Sequence, residues 1–212
     1  MRMAHMDRST PDDSGTLHRP ATQDRLLEQA NALLDDGDSG GSARALMDPI
    51  AKDIRGNSGD NILYGTKQND YINGGGGNDR LYGYAGNDEI HGGPGRDRIN
   101  GGANTDSLWG GKGPDNFVFD APGAADRLMD FDGGDGDTID LQYLDANVNR
   151  AGQQDFIYMG NQNFTGRAGE LIWWVYDNDT TWVLMDRNGD AQADTGLLLN
   201  RAHYFSANDF LI

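Results

Sequence analysis

The sequence contains no cysteine, so disulfide bonds and thiolate metal ligands are both excluded. Hydrophobic residues make up only 36% of the 212 residues, which is too little apolar material for a conventional core. Basic residues are also few, because 17 Lys and Arg stand against 34 Asp and Glu, for a net charge of −17. This charge argues against nucleic acid and anionic membrane surfaces as partners. No run reaches the roughly 18 apolar residues of a membrane-spanning helix.

The N-terminal part has no strong pattern. Residues 1–21 are polar and lack the apolar stretch of a classical signal peptide, so we expect them to be disordered or foreign to the natural protein. Residues 22–55 predict a short helical segment and a hinge. Apolar residues recur at helical spacing from Leu26 to Leu34, and Thr22 is a suitable N-cap.

Residues 56–119 repeat with a period of nine, and each of the seven blocks begins with glycine. Position six carries a carboxylate or an amide: Asn61, Asp70, Asp79, Asp88, Asp97, Asp106 and Asp115. Position eight is always apolar: Leu63, Ile72, Leu81, Ile90, Ile99, Leu108 and Phe117. Side chains of a strand alternate between its faces, so a strand over positions seven to nine would point position eight into a shared core.

These blocks resemble the G-G-x-G-x-D-x-U-x nonapeptide of the RTX (repeats-in-toxin) calcium-binding family. The resemblance implies an all-β fold, namely a right-handed parallel β-roll over residues 56–119 in which two nonapeptides make one turn. A β-rich C-terminal cap over residues 120–212 is expected to follow, and the short helix precedes the roll. In the cap, the alternating segments 171–176 and 181–185 predict a hairpin.

The loops of the repeats have the composition of a calcium site. Ca²⁺ takes about six to eight oxygen ligands, and glycine lets main-chain carbonyls turn toward a common point. We therefore expect metal ligands at position six, Asn61, Asp70, Asp79, Asp88, Asp97, Asp106 and Asp115. The accompanying glycines are expected to be Gly75, Gly77, Gly86, Gly93, Gly95, Gly102, Gly111 and Gly113.

Alternate repeats should place their loops on the same edge of the roll. One edge then carries the loops that begin at Gly56, Gly74, Gly92 and Gly110, and the other carries those that begin at Gly65, Gly83 and Gly101. Position four is always glycine on the first edge but includes Gln68 and Asn104 on the second, and glutamine tolerates positive φ poorly. We expect three well-formed sites on the first edge and two weaker ones on the second, about five Ca²⁺ ions in total. The amide of Asn61 would leave the first site one formal charge short.

Metal binding should also drive folding. Without Ca²⁺ the carboxylates repel one another, and the narrow apolar stripe cannot offset the backbone entropy of so many glycines. The roll is therefore expected to be disordered in chelator and to fold as Ca²⁺ rises.

Two acidic segments of the cap are weaker candidates for further metal sites. Asp130 and Asp137 belong to a cluster of aspartates that could bind an ion where the roll meets the cap. Asp186, Asn188 and Asp190 match the first half of an EF-hand loop, but Ala191 replaces its glycine. A plain turn between strands and a one-sided calcium site are the alternatives there.

Aromatic residues raise the question of a sugar-binding surface. Trp173, Trp174, Tyr176 and Trp182 could form a sugar-binding strip, but we expect them to pack in the core of the cap. Tyr64 and Tyr82 should stack on one face of the roll. The neighbouring Arg80 and Arg98 could hold an acidic glycan, and a solvated face is the alternative.

The cap resembles the C-terminal domain of serralysin-type secreted metalloproteases in the segments 126–141, 164–171, 186–194 and 208–212. The zinc motif H-E-x-x-H of those proteases is absent, so we expect no enzymatic activity. The segment 208–212 resembles the uncleaved signal of type I secretion substrates. The resemblances imply a secreted, extracellular calcium-binding protein that meets the type I secretion machinery. The alternatives are the C-terminal part of a larger secreted enzyme, such as a serralysin-like protease or a polysaccharide-modifying enzyme, and an adhesin with a glycan or protein partner.

Overall fold

The computed structural model describes residues 51–121, 125–177 and 180–212. The expected disordered stretch and helix therefore lie outside the described residues. Within them the chain is all β. The strands of the roll are β1 (Asp53–Arg55), β2 (Ile62–Tyr64), β3 (Tyr71–Asn73), β4 (Arg80–Tyr82), β5 (Glu89–Pro94), β6 (Arg98–Asn100), β7 (Ser107–Lys112) and β8 (Asn116–Val118). The later strands are β9 (Asp126–Leu128), β10 (Thr138–Asp140), β11 (Ile157–Gly160), β12 (Glu170–Asp177), β13 (Thr180–Asp186), β14 (Thr195–Leu199) and β15 (Phe210–Leu211), with a 3₁₀ turn at Ala207–Asp209.

The strands form two sheets, and successive strands of the roll alternate between them. The nine-stranded sheet, which we call sheet A, has the order β1-β3-β5-β7-β9-β14-β13-β12-β11. The six-stranded sheet, sheet B, has the order β15-β10-β8-β6-β4-β2. Strands of the roll pair in parallel with a register of 18 residues, so that Leu63 lies beside Leu81 and Ile72 beside Ile90. Two nonapeptides therefore make one turn, and the predicted parallel roll is confirmed.

Position eight supplies the core of the roll. Its side chains are completely buried from the second repeat to the seventh: Ile72, Leu81, Ile90, Ile99, Leu108 and Phe117. Leu128 and Ile139, from β9 and β10, are also completely buried and continue the same stack. A stripe one residue wide per strand explains how a chain with few hydrophobic residues still forms a closed interior.

The roll extends beyond residues 56–119 in both directions, which corrects its expected limits. The end of the expected helical segment and hinge, Asp53–Arg55, is strand β1, because Ile54 aligns with Ile72 and packs against the core. At the other end β9 pairs in parallel with β7, and β10 pairs in parallel with β8. The nine-residue spacing is kept at Ile54 but becomes longer before Leu128 and Ile139, and the apolar residue at the middle of each strand is kept in all of these segments.

The cap contains the antiparallel part of the fold. Strand β12 pairs with β13, with Leu171 beside Met185, so the expected hairpin is confirmed. Strand β14 pairs with β13 on one side and in parallel with β9 on the other, which makes the cap continuous with sheet A. Within the described residues, no helix is both long and hydrophobic enough to cross a lipid bilayer.

The expectation that the aromatic residues of the cap are all in the core is wrong for three of them. Trp173 is buried with 8% exposure, but Trp174 and Tyr176 are 45% and 72% exposed. Trp182 lies beside Trp174 on the neighbouring strand, is partly buried and does not belong to the core cluster. The reason is the alternation of strand β12, since Leu171, Trp173 and Val175 pack in or against the core, whereas Trp174 and Tyr176 lie on the opposite face.

The buried stack predicts a position-dependent effect of truncation. Ile90→Ala should lower the free energy of unfolding in saturating Ca²⁺ by roughly 2–5 kcal/mol, because it opens a cavity at a completely buried site. Ile62→Ala, at a side chain that is 48% exposed, should change it by less than about 0.5 kcal/mol. Denaturant titration followed by circular dichroism measures both, and equal losses would contradict the assignment of position eight to the core.

Candidate metal centre

The aspartates at position six form a hydrogen-bonded ladder along each edge of the roll. On the first edge, the backbone N–H of Asp79 donates to Oδ1 of Asp97 at 2.8 Å, and that of Asp97 donates to Oδ1 of Asp115 at 2.8 Å. On the second edge, the N–H of Asp88 donates to Oδ1 of Asp106 at 2.8 Å. Each carboxylate therefore ties its own loop to the loop one turn earlier and is held in a fixed orientation.

The second oxygen of the same carboxylates has no partner. The Oδ2 atoms of five aspartates are buried and receive no hydrogen bond: Asp79, Asp88, Asp97, Asp106 and Asp115. Three of these residues lie on the first edge and two on the second. Burying a carboxylate oxygen without a partner costs about 1–3 kcal/mol or more, unless a cation or a hydrogen-bond donor satisfies it. The loops therefore present five carboxylate oxygens that a bound cation would satisfy.

Glycine at position one keeps the space beside each orphaned oxygen empty. A Cβ atom added to Gly92 would collide with Oδ2 of Asp97 and would lie 2.6 Å from the carbonyl oxygen of Gly110. A Cβ added to Gly74 would meet Oδ2 of Asp79 and the carbonyl oxygen of Gly92 in the same way. A carboxylate oxygen of one loop and a carbonyl oxygen of the next thus border the same small volume.

Positions two and four turn the backbone of the loop. All eight glycines expected to accompany the ligands have positive φ, between 97° and 150°: Gly75, Gly77, Gly86, Gly93, Gly95, Gly102, Gly111 and Gly113. On the second edge the corresponding positions also include Tyr84 at φ 73° and Asn104 at φ 79°. The sequence pattern did not single out Tyr84, because a tyrosine in this conformation is rare.

The donor set suits Ca²⁺. Within the described part of the chain, no group of three His, Asp or Glu side chains converges on one point, so carbonyl oxygens must complete each site. Carboxylate and carbonyl oxygens without nitrogen or sulfur are typical of calcium and magnesium rather than zinc, and the flexible coordination of Ca²⁺ suits a site built from two loops. The carboxylates at position six and the carbonyls of the glycine-rich loops are the groups that would hold the ion.

The first loop of each edge differs from those that follow. Asn61 accepts a hydrogen bond from the N–H of Asn57 at 2.8 Å. Oδ2 of Asp70 accepts from the N–H of Thr66 at 2.5 Å and from its hydroxyl at 2.9 Å. Both residues belong to the ladder, but their loops have no residue with positive φ and already satisfy the oxygen that is free elsewhere.

The ladder continues past the repeats into the cap. The N–H of Asp106 donates to Oδ1 of Asp126 and that of Asp115 to Oδ1 of Asp137, each at 2.9 Å. Oδ2 of Asp137 accepts from the N–H of Asp132 at 2.8 Å. Asp126 was missed in the sequence because it lies 20 residues after Asp106 instead of 18.

The other candidate residues of the cap bind backbone groups. The two oxygens of Asp130 accept from Gly110 at 2.8 Å and Gly111 at 3.0 Å. In the second segment, Asp186 accepts from the N–H groups of Gly189 and Ala191, Asn188 from that of Asp190, and Asp190 from that of Gln192. Internal hydrogen bonds thus close this turn, and a calcium site at Asp186, Asn188 and Asp190 stays a prediction.

Burial makes the carboxylates of the ladder difficult to ionise without metal. Burial raises the pKa of Asp88 and of Asp106 from the ordinary 3.8 to about 8. It raises the pKa of Asp115 to about 7 and that of Asp97 to about 6. The pKa of Asp79 is raised for the same reason. Neighbouring carboxylates add to the shift for each of these groups, so an unbound roll favours protonated aspartates.

These shifts predict a pH dependence in chelator. The folded, metal-free roll binds protons more tightly than the unfolded chain, so its stability is greatest below the ordinary pKa of 3.8 and is lost as the pH rises through about 6 to 8. Far-ultraviolet circular dichroism in EDTA should therefore show more β-structure at pH 5 than at pH 8. Identical spectra at the two pH values would contradict the burial of these carboxylates.

Comparison with known proteins agrees with this geometry. Residues 55–90 and 82–117 match the family model of the RTX calcium-binding nonapeptide repeat. No curated protein matches the chain.

Two solution structures of Azotobacter vinelandii proteins are similar in part. The AlgE6R3 subunit of mannuronan C5-epimerase is 26% identical over 83% of this chain and 85% of that chain, with a TM-score of 0.35. The AlgE6R2 subunit is 24% identical over 74% of this chain and 91% of that chain, with a TM-score of 0.45. These TM-scores are too low to support an argument about function. The match to the family model and the paired carboxylate and carbonyl oxygens lead to the same conclusion, which is that residues 55–117 are RTX calcium-binding nonapeptide repeats.

Proposed function

We propose that this protein is a secreted, non-enzymatic calcium-binding module whose roll folds when it meets extracellular Ca²⁺ after type I secretion. The observation that carries the proposal is the set of five buried Oδ2 atoms without a partner. These oxygens are brought into position only in the folded roll, where no protein group satisfies them. An ion that binds them therefore stabilises the folded state and not the unfolded one.

The distribution of these atoms supports about five ions. Asp79, Asp97 and Asp115 offer three free oxygens on the first edge, and Asp88 and Asp106 offer two on the second. Each ion would lie between neighbouring turns, and glycine carbonyls would complete its coordination. Asn61 and Asp70 would act mainly as the ends of the ladder, because their oxygens already accept hydrogen bonds within their own loops.

The secreted location rests on the calcium dependence. A chain of net charge −17 that needs several Ca²⁺ ions to fold would remain unfolded where Ca²⁺ is scarce and would fold where it is abundant. RTX repeats are typical of extracellular proteins, which supports this location. We also propose that the cap is a serralysin-type C-terminal domain and that residues 208–212 act as the type I secretion signal.

Calcium should be required for the secondary structure of the roll. In excess EDTA at pH 7.5 the spectrum should be that of a largely unfolded chain, and about 1 mM Ca²⁺ should produce a β-sheet spectrum, as expected when binding and folding are one transition. Mg²⁺ at the same concentration serves as the control, because its octahedral preference fits carbonyl-lined loops poorly. An unchanged spectrum between EDTA and Ca²⁺ would contradict the proposal.

A matched pair of substitutions tests which aspartates hold the ions. Asp97→Asn removes the charge of a free oxygen and should raise the calcium concentration at the folding midpoint about tenfold, equivalent to about 1.4 kcal/mol. Asp70→Asn changes a carboxylate that its own loop already satisfies, so it should shift the midpoint by less than about twofold and leave the stoichiometry unchanged. Calcium titration calorimetry with circular dichroism measures both. Equal shifts in the two variants would show that the free oxygens have no special part in binding.

A further inference from the structure

The outer face of sheet B carries a group of side chains that the calcium sites do not use. We call it the tyrosine–arginine face, and it consists of Tyr64, Arg80, Tyr82, Tyr84 and Arg98. The rings of Tyr64 and Tyr82 stack with centroids 5.3 Å apart and an interplanar angle of 17°. Tyr84 stacks beside them, at 6.1 Å from Tyr64 and 6.5 Å from Tyr82. Three rings thus form one aromatic platform on strands β2 and β4 and the loop that follows β4.

The backbone at Tyr84 shows that this platform is not required by the repeat. Tyr84 has φ 73° at position two of its loop, where the equivalent residues of other loops are glycine, as in Gly75, Gly93, Gly102 and Gly111. Residues other than glycine rarely adopt a positive φ, and backbone strain of this kind is concentrated at functional sites. Glycine would allow the same turn with less strain. We therefore attribute the tyrosine at this position to the contribution of its ring to the platform.

The two arginines add positive charge that the protein leaves unneutralised. Arg80 and Arg98 are adjacent in register on β4 and β6. Within the described residues neither guanidinium lies within ion-pair distance of a carboxylate, whereas Arg55 pairs with Asp53 at 2.8 Å. In a chain of net charge −17, two neighbouring arginines without carboxylate partners are a distinct local feature.

The surroundings keep this charge accessible. The guanidinium of Arg98 lies 5.6 Å from the ring centroid of Tyr143, which is itself 56% exposed. Two carboxylates lie near this face. Asp140 is buried on β10, two strands beyond Arg98, and Asp120 accepts a hydrogen bond from Nδ2 of Asn100 at 3.0 Å, at the other end of β6 from Arg98. The face is therefore positive and aromatic together.

We propose that the tyrosine–arginine face binds an acidic saccharide, a linear chain of uronic acid residues. The carboxylates of such a chain would pair with Arg80 and Arg98, because guanidinium groups bind carboxylates in a bidentate manner. The apolar faces of its sugar rings would lie on the tyrosine platform. A nucleic acid fits less well, because its affinity depends on neutralising many closely spaced phosphates and the rest of the protein is strongly anionic. The proposal rests on the proposed function, since this face exists only when the roll is folded.

Titration calorimetry of the full chain in saturating Ca²⁺ tests the site, with a uronic acid hexamer as the probe. The neutral hexose hexamer and a single-stranded oligonucleotide of the same charge are the comparison ligands. The double variant Arg80→Gln with Arg98→Gln should weaken hexamer binding at least tenfold. Arg127→Gln is the matched control, because Arg127 is an exposed strand residue on sheet A, and it should change binding less than twofold.

Tyr84→Gly separates a binding role from a structural one. It removes the ring and permits the positive φ that the loop requires, so the thermal midpoint in Ca²⁺ should not fall by more than a few degrees while hexamer binding weakens at least fivefold. The proposal is overturned if the folded, calcium-loaded protein does not bind the uronic acid hexamer, if the oligonucleotide binds as tightly, or if Arg127→Gln weakens binding as much as the double variant. Circular dichroism of the same samples with and without Ca²⁺ tests the proposed function separately.

Discussion

The described roll depends on one electrostatic requirement, the neutralisation of a buried carboxylate oxygen at the centre of each inner loop. The aspartate at position six uses Oδ1 to receive the N–H of the loop one turn earlier and leaves Oδ2 without a protein partner. The hydrogen bond fixes the direction of the carboxylate, so the free oxygen is preorganised for a cation. The same residue thus joins neighbouring turns twice, once through the backbone and once through an ion.

The outer loops of the ladder show how the repeat is modified where the aspartate has no free oxygen, although the N–H of Lys52 still joins the preceding turn to Oδ1 of Asp70 at 2.7 Å. Asp70 satisfies its second oxygen with Thr66, and Asp137 does so with the N–H of Asp132. Between these ends the aspartates have free oxygens and loops that carry residues with positive φ. The metal-binding part of the roll is therefore shorter than the structural roll, which begins at β1 and continues to β10.

The period of nine and the alternation of strand side chains were sufficient to predict the buried residue at position eight, and the resemblance to RTX repeats added the parallel pairing and the two edges. The period also identified every glycine with positive φ in the repeats, since few other residues adopt that conformation. Segments that lack the full repeat could not be identified from the period. Strand β1 has no glycine-rich loop, and Asp126 joins the ladder after an irregular spacing of 20 residues.

Other features depend on contacts that a sequence does not encode locally. Whether Asp70 has a free oxygen depends on the rotation of its side chain toward Thr66, and Asp97 has the same position in the repeat with a different outcome. Likewise, hydrophobic character did not distinguish Trp173 from Trp174, because alternation places them on opposite faces of β12 and only the packing of the sheet decides which face is buried.

Anomalous diffraction from crystals grown with Ca²⁺ is the most direct test of the central claim. The account predicts peaks about 2.3–2.6 Å from the Oδ2 atoms of Asp79, Asp97 and Asp115 on one edge and of Asp88 and Asp106 on the other. A folded roll in millimolar Ca²⁺ with no peak beside these atoms would contradict it.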